Sequence, residues 1–117
     1  MKFLKFWFPV LAYSGIIFYV SSLQGFTPSV DFTDKYAHAI EYGLFGFLSA
    51  RAFSGTTGFS KSHIWWLAVG LTLFYGLSDE FHQSFVPTRN SEWADVAADF
   101  IGGMIGSLLF LLWRLKV

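Results

Sequence analysis

The stretch His63-Ile64-Trp65-Trp66-Leu67-Ala68-Val69-Gly70-Leu71-Thr72-Leu73-Phe74-Tyr75-Gly76-Leu77-Ser78-Asp79-Glu80-Phe81-His82-Gln83 decides the fold. Most of it is apolar or aromatic, over the roughly 20 residues a helix needs to cross about 30 Å of hydrocarbon. Its last turn and a half is abruptly polar. Three further runs of similar length lie on either side, at 4–22, 34–53 and 94–113. Four such spans with short connections use nearly all of the 117 residues and leave no room for a soluble domain. The sequence therefore predicts one all-α domain, 1–117, built as an integral membrane bundle of four transmembrane helices.

Composition agrees. Charged residues make up 14% of the chain, against about 25% in a soluble domain. The formal net charge of zero hides two segregated sets. Lys2, Lys5, Arg51, Lys61, Arg114 and Lys116 lie at the N-terminus, in the second connection and at the C-terminus. The positive-inside bias places those three regions, and so both termini, in the cytoplasm. Asp31, Asp34, Glu41, Asp79, Glu80, Glu92, Asp95 and Asp99 all fall at or near the opposite face, accompanied only by Lys35 and Arg89. No basic surface suited to nucleic acid is present. The chain has no cysteine, which excludes disulfides and thiol chemistry.

The N-terminal apolar run is read as a retained first helix rather than a cleaved signal, because Pro9, Tyr13, Ser14 and Gly15 interrupt it. Trp7, Phe8, Tyr19, Tyr36, Trp65, Trp66, Trp93 and Trp113 collect near the expected interfaces, as membrane aromatic belts do. The connections are expected at Ser21–Thr33, Ser54–Gly58 and Ser84–Trp93. Thr33 with Asp34, and Ser91, are the expected helix caps. Ala39, Gly43, Gly46 and Ala50 share one helix face, and Gly102 and Gly106 form a small-xxx-small pair with Gly103 and Ser107 beside them. Such faces let helices approach closely in lipid. Packing within the bundle is the expected use; a homo-oligomer through the glycine faces is the other.

Asp34, His38 and Glu41 recur at steps of four and three, so they share a helix face. Thr72, Tyr75, Asp79 and His82 line up in the same way, with Gln83 adjacent and Glu80 displaced sideways, to pair with a cation such as Arg89. Asp95 and Asp99 share a face that continues into Gly102 and Gly106. Three helices thus bring acids, imidazoles and tyrosines to one zone, where an ionisable group inside the bilayer costs roughly 2.5–3.5 kcal/mol on insertion scales. That cost makes the zone the candidate site. Its expected ligand-binding set is Lys35, His38, Glu41, Tyr42, Tyr75, Asp79, Glu80, Gln83, Arg89, Asp95 and Asp99.

The same residues carry a family resemblance. Asp34-Lys35-Tyr36-Ala37-His38-Ala39-Ile40-Glu41-Tyr42 resembles the first signature of VanZ-like membrane proteins. Tyr75-Gly76-Leu77-Ser78-Asp79-Glu80-Phe81-His82-Gln83-Ser84-Phe85-Val86-Pro87-Thr88-Arg89 is similar to that family's most recognisable segment, followed by Ser91, Asp95, Gly102 and Gly106 at the family's spacing. The chain departs in carrying Asp99 where the family pattern often has Asn. The resemblance implies a small multi-pass protein of the bacterial cytoplasmic (inner) membrane, in a family named for resistance to the glycopeptide teicoplanin. It implies no particular reaction.

Three functions remain to be weighed. The first is an envelope protein that binds a lipid-linked or amphipathic ligand at the outer leaflet, with Arg89 and Lys35 toward an anionic group and Tyr42 and Tyr75 as hydrogen-bonding walls. The second is an intramembrane hydrolase or transferase, with His38, Glu41 and Asp79 as its catalytic candidates. His38 oriented by a carboxylate would be its base, or a divalent metal would sit among His38, Glu41, His82 and Asp99. No H-E-x-x-H motif supports that metal. The third is a small ion- or proton-coupled transporter, which the almost purely apolar cytoplasmic half disfavours. The residues require no cofactor, and a divalent metal is the one they could take. The lipid bilayer is the expected partner.

Overall fold

Pro9 sits inside the first helix, which continues through it although proline removes one backbone donor and crowds the carbonyl four residues before it. In the computed structural model, which describes residues 2–21, 32–85 and 93–116, the chain forms four α-helices. They are α1 (Lys2–Ser21), α2 (Phe32–Thr56), α3 (Lys61–Gln83) and α4 (Trp93–Lys116), and no strand occurs among the described residues. The expected all-α class and the number of helices hold. Among the described residues, one helix, Asp95–Arg114, clearly meets the requirement for crossing a bilayer by length and hydropathy together, and Phe3–Tyr19 is a shorter apolar helix.

Two boundaries differ from expectation. Thr33 and Asp34 lie in the first turn of α2 rather than ahead of it. At the other end α2 runs through Ser54, Gly55 and Thr56, where a turn was expected. The reason is local. Thr56 and Thr57 donate their hydroxyls to the carbonyls of Ala52 and Phe53 at 2.7 Å each, and the Thr57 amide also reaches the Phe53 carbonyl at 3.0 Å, so the last turn is tied back by side chains as well as backbone. Trp7 of α1 donates to Thr56 at 3.1 Å. Gly55 lies so close to Phe6 that a Cβ there would fall 2.6 Å from the ring. The real connection is shorter, 57–60, and Ser60 caps α3 by accepting from the His63 amide. The expected cap Ser91 lies outside the described residues.

α2 and α4 form the most extensive helix pair, and α3 packs on both. Their contacts rise together in number, from His38 with Asp99 to Phe47 with Phe110, so the two run parallel. The small residues lie in this seam. A Cβ on Gly46 would stand 2.7 Å from the Gly103 carbonyl oxygen, and one on Gly102 or Gly106 would collide with the backbone of Ala39 or Gly43. Close packing within the chain is thus what these glycines do.

α1 touches α2 and, more lightly, α3. It buries Val10 and Ile17 on a layer that includes Tyr42, Phe45 and Ala52. A second core cluster, with Ala50, Ile64, Ala68, Phe110 and Leu111, fills the far end of α2, α3 and α4. That end also carries Arg51 and Lys5 against the Phe6 ring, at 4.7 and 5.7 Å from its centroid. The polar residues gather at the other end.

Candidate functional site

Each helix contributes through its own period. On α2, His38 and Tyr42 are one turn apart and both buried. On α4, Asp95 and Asp99 have the same spacing and are also buried, Asp99 completely. On α3, Asp79 faces inward one turn beyond Tyr75. The parallel α2–α4 seam sets His38 beside both α4 acids. Its Nδ1 lies 2.9 Å from Asp99 Oδ1, and its Nε2 lies 3.8 Å from Asp95 Oδ2. With Asp99 ionised the carboxylate can only accept, and the ring then donates from Nδ1. The first contact is a hydrogen bond; the second is too long to be one.

A second bond joins α2 to α3. The Tyr42 hydroxyl donates to Asp79 Oδ2 at 3.0 Å. Its ring belongs to an aromatic wall, in which Phe45 and Tyr75 stack at 5.1 Å with planes 5° apart. Asp99 itself lies against α3: a Cβ on Gly76 would stand 3.2 Å from its Oδ2. That oxygen is buried and has no hydrogen-bond partner among the described residues. Gly76 is therefore glycine to make room for Asp99. The residue at which the chain departs from the VanZ-like pattern holds the imidazole of His38.

The expected set divides accordingly. His38, Tyr42, Asp79, Asp95 and Asp99 come together. Tyr75 stands beside them, but its hydroxyl turns to the Ser14 carbonyl of α1. Glu41 is half-buried, and its backbone carbonyl accepts from Tyr13 at 2.9 Å. Glu80, expected sideways of Asp79, is buried as Asp79 is. His82 is half-buried and stacks on Phe18 at 4.3 Å, so it is not merely solvated. Lys35 and Gln83 lie in the ends of α2 and α3, but their side chains are not among the described groups, and Arg89 lies outside the described residues. Among the described residues no three His, Asp or Glu side chains are placed to hold a metal ion.

Sequence reasoning missed the part played by α1. Tyr13, Ser14 and Phe18 contact the helices that bear the site. The available signal was two adjacent polar side chains, Tyr13 and Ser14, in the middle of an apolar run.

As chemistry, the arrangement is a buried imidazole held by one carboxylate and directed at another, beside a phenol bound to a third. It can orient a hydrogen-bonding ligand or hold a proton. No curated protein and no solved structure matches the chain. The VanZ/LLP1 family model matches residues 3–114, nearly the whole length. The chain belongs to the VanZ/LLP1 family.

Proposed function

We propose that this protein is a multi-pass protein of the bacterial inner membrane whose polar cluster binds a lipid-linked or amphipathic envelope ligand at the outer leaflet. All four helices would span, with both termini in the cytoplasm. Their lengths of 20, 25, 23 and 24 residues correspond to roughly 30–37 Å at helical rise, enough for the hydrocarbon core. The mean hydropathy of α2 and α3 is lowered by the residues that form the site. Long exposed apolar faces support the same reading: Phe8, Leu11 and Ile16 on α1, and Phe74, Leu77 and Phe81 on α3. A water-facing monomer does not leave such continuous faces bare.

The observation that carries the functional reading is the buried network of His38, Asp99, Tyr42 and Asp79, assembled from three helices at the acidic end. A bundle that needed only to pack would fill these positions with apolar side chains at lower cost. Membership of a family linked to teicoplanin resistance points the ligand toward the cell envelope.

The test is the teicoplanin susceptibility of a sensitive bacterial host producing the protein. The wild type should raise the drug concentration needed to stop growth. His38→Ala and Asp79→Asn should return it to that of the empty host, at unchanged protein level in the membrane. Full protection from both variants would make the cluster scaffolding. Loss of protein together with protection would give it a structural role.

A second reading, a His-dependent hydrolase or transferase, has one specific observation in its favour. A fully buried carboxylate within hydrogen-bond distance of Nδ1 orients the His38 ring, as a general base requires.

A further inference from the structure

At the end opposite the polar cluster, two cations from two helices meet on one ring. The guanidinium carbon of Arg51 on α2 lies 4.7 Å from the Phe6 centroid, and Nζ of Lys5 on α1 lies 5.7 Å from it. Both are within cation–π reach, and the two distances bound the separation of the charges at about 10 Å. The ring is firmly seated. Gly55 leaves it room, since a Cβ there would fall 2.6 Å away. Beside it Trp7 donates to Thr56 and packs edge-on against Phe53 at 5.0 Å.

No acid of the chain is at hand to neutralise this pair. The sequence has none before Asp31, none between Glu41 and Asp79, and none after Asp99. Along α2 the nearest acid to Arg51 is Glu41, ten residues or roughly 15 Å away. Among the described residues neither cation has an ion pair. A ring face attracts a positive charge but leaves most N–H donors of a guanidinium or ammonium open to an oxygen ligand.

We propose that Lys5 and Arg51 hold the phosphate of one anionic phospholipid, of the phosphatidylglycerol type, and that this lipid ties α1 to α2. The proposal rests on the reading of α1 and α2 as membrane spans and makes no use of the polar cluster. Charge complementarity supports the phosphate, which arginine grips as a fork and lysine as a point charge. Position supports a lipid rather than a free anion. Phe3, Leu4 and Phe8, around Lys5 on α1, are exposed apolar groups of the kind that acyl chains cover, and Trp7 stands where an interfacial aromatic belongs. α1 touches only α2 and, more lightly, α3 among the described helices. A phosphate shared by Lys5 and Arg51 adds a tie at its start.

The experiment measures lipid retention by delipidated full-length protein in mild detergent, using native mass spectrometry. Phosphatidylglycerol is compared with phosphatidylethanolamine carrying the same acyl chains. Lys5→Gln and Arg51→Gln each remove one charge, and Arg51→Lys keeps it. Lys61→Gln and Arg114→Gln, at exposed positions of the same end, are the controls. Circular dichroism checks that every variant keeps its helices. The wild type, Arg51→Lys and both controls should retain one phosphatidylglycerol in preference to phosphatidylethanolamine. Lys5→Gln and Arg51→Gln should each weaken that retention about fivefold, the effect of one basic side chain at an anionic surface. Equal weakening by the control variants would reduce the site to a diffuse basic surface and overturn it. Unchanged retention in Lys5→Gln and Arg51→Gln, or equal retention of the two lipids, would also overturn it. Displacement by added inorganic phosphate would assign the pair to a free anion and overturn the lipid. Recovery of the wild type in solution without detergent would overturn the spans on which the proposal rests, a failure distinct from that of the site.

Discussion

His38 stands between two carboxylates at unequal distances, 2.9 Å to Asp99 and 3.8 Å to Asp95. The difference decides their roles. Only the Asp99 contact is within hydrogen-bond range, and Asp99 is wholly buried, so it fixes the imidazole while Asp95 contributes a weaker, longer-range attraction. Interhelical hydrogen bonds in membranes average about 0.6 kcal/mol and reach about 1.7, and a charge-assisted bond belongs near the upper end. A double-mutant cycle of His38→Ala with Asp99→Ala should therefore give a coupling of about 1–1.7 kcal/mol in reversible unfolding. The cycle with Asp95→Ala should give distinctly less. Equal couplings, or a larger one for Asp95, would assign the orienting role wrongly. The sequence placed His38, Asp95 and Asp99 on inward faces through their spacing alone. It did not say which acid meets the ring, because spacing within a helix fixes neither the rotation nor the axial offset of its partner.

At the scale of the helix, the seam between α2 and α4 depends on absent side chains. A Cβ on Gly106 would collide with the backbone of Gly43, which cannot move without separating the helices. Gly70, on the exposed face of α3, has nothing within 4 Å of where its Cβ would be. Gly106→Ala should destabilise the bundle by about 1–3 kcal/mol, as overpacking does. Gly70→Ala should be neutral or stabilising by up to about 1 kcal/mol, because alanine is the better helix former. Thermal unfolding in detergent separates the two, and equal effects would deny the seam its close approach. The small-residue faces were legible because glycine at steps of three and four is a packing signal. The end of α2 was not: Ser54, Gly55, Thr56 and Thr57 have the composition of a turn. Tertiary contacts with Phe6 and Trp7, and the threonines' back-bonds to the preceding turn, hold that segment helical through Thr56.

Across the whole molecule, charge and polarity are sorted by end. The principal extents are 43 × 28 × 19 Å, and the long dimension matches a bilayer with its head-group layers at about 40–45 Å. Lys5 and Arg51 lie at one end. His38, Asp79, Asp95 and Asp99 lie toward the other, with Phe18 stacked on His82 nearby. The proposed ligand and outer-leaflet site both depend on that polarity being the one the bilayer imposes. The chain contains no cysteine, so single substitutions report their own position. Ser84, just beyond α3 at the acidic end, and Ser60, before α3 at the basic end, are both exposed. The decisive measurement is labelling of Ser84→Cys and Ser60→Cys by a membrane-impermeant maleimide in intact cells. The account predicts that Ser84→Cys reacts at once and Ser60→Cys only after the membrane is opened. The reverse pattern, or reaction of both in sealed cells, would contradict it.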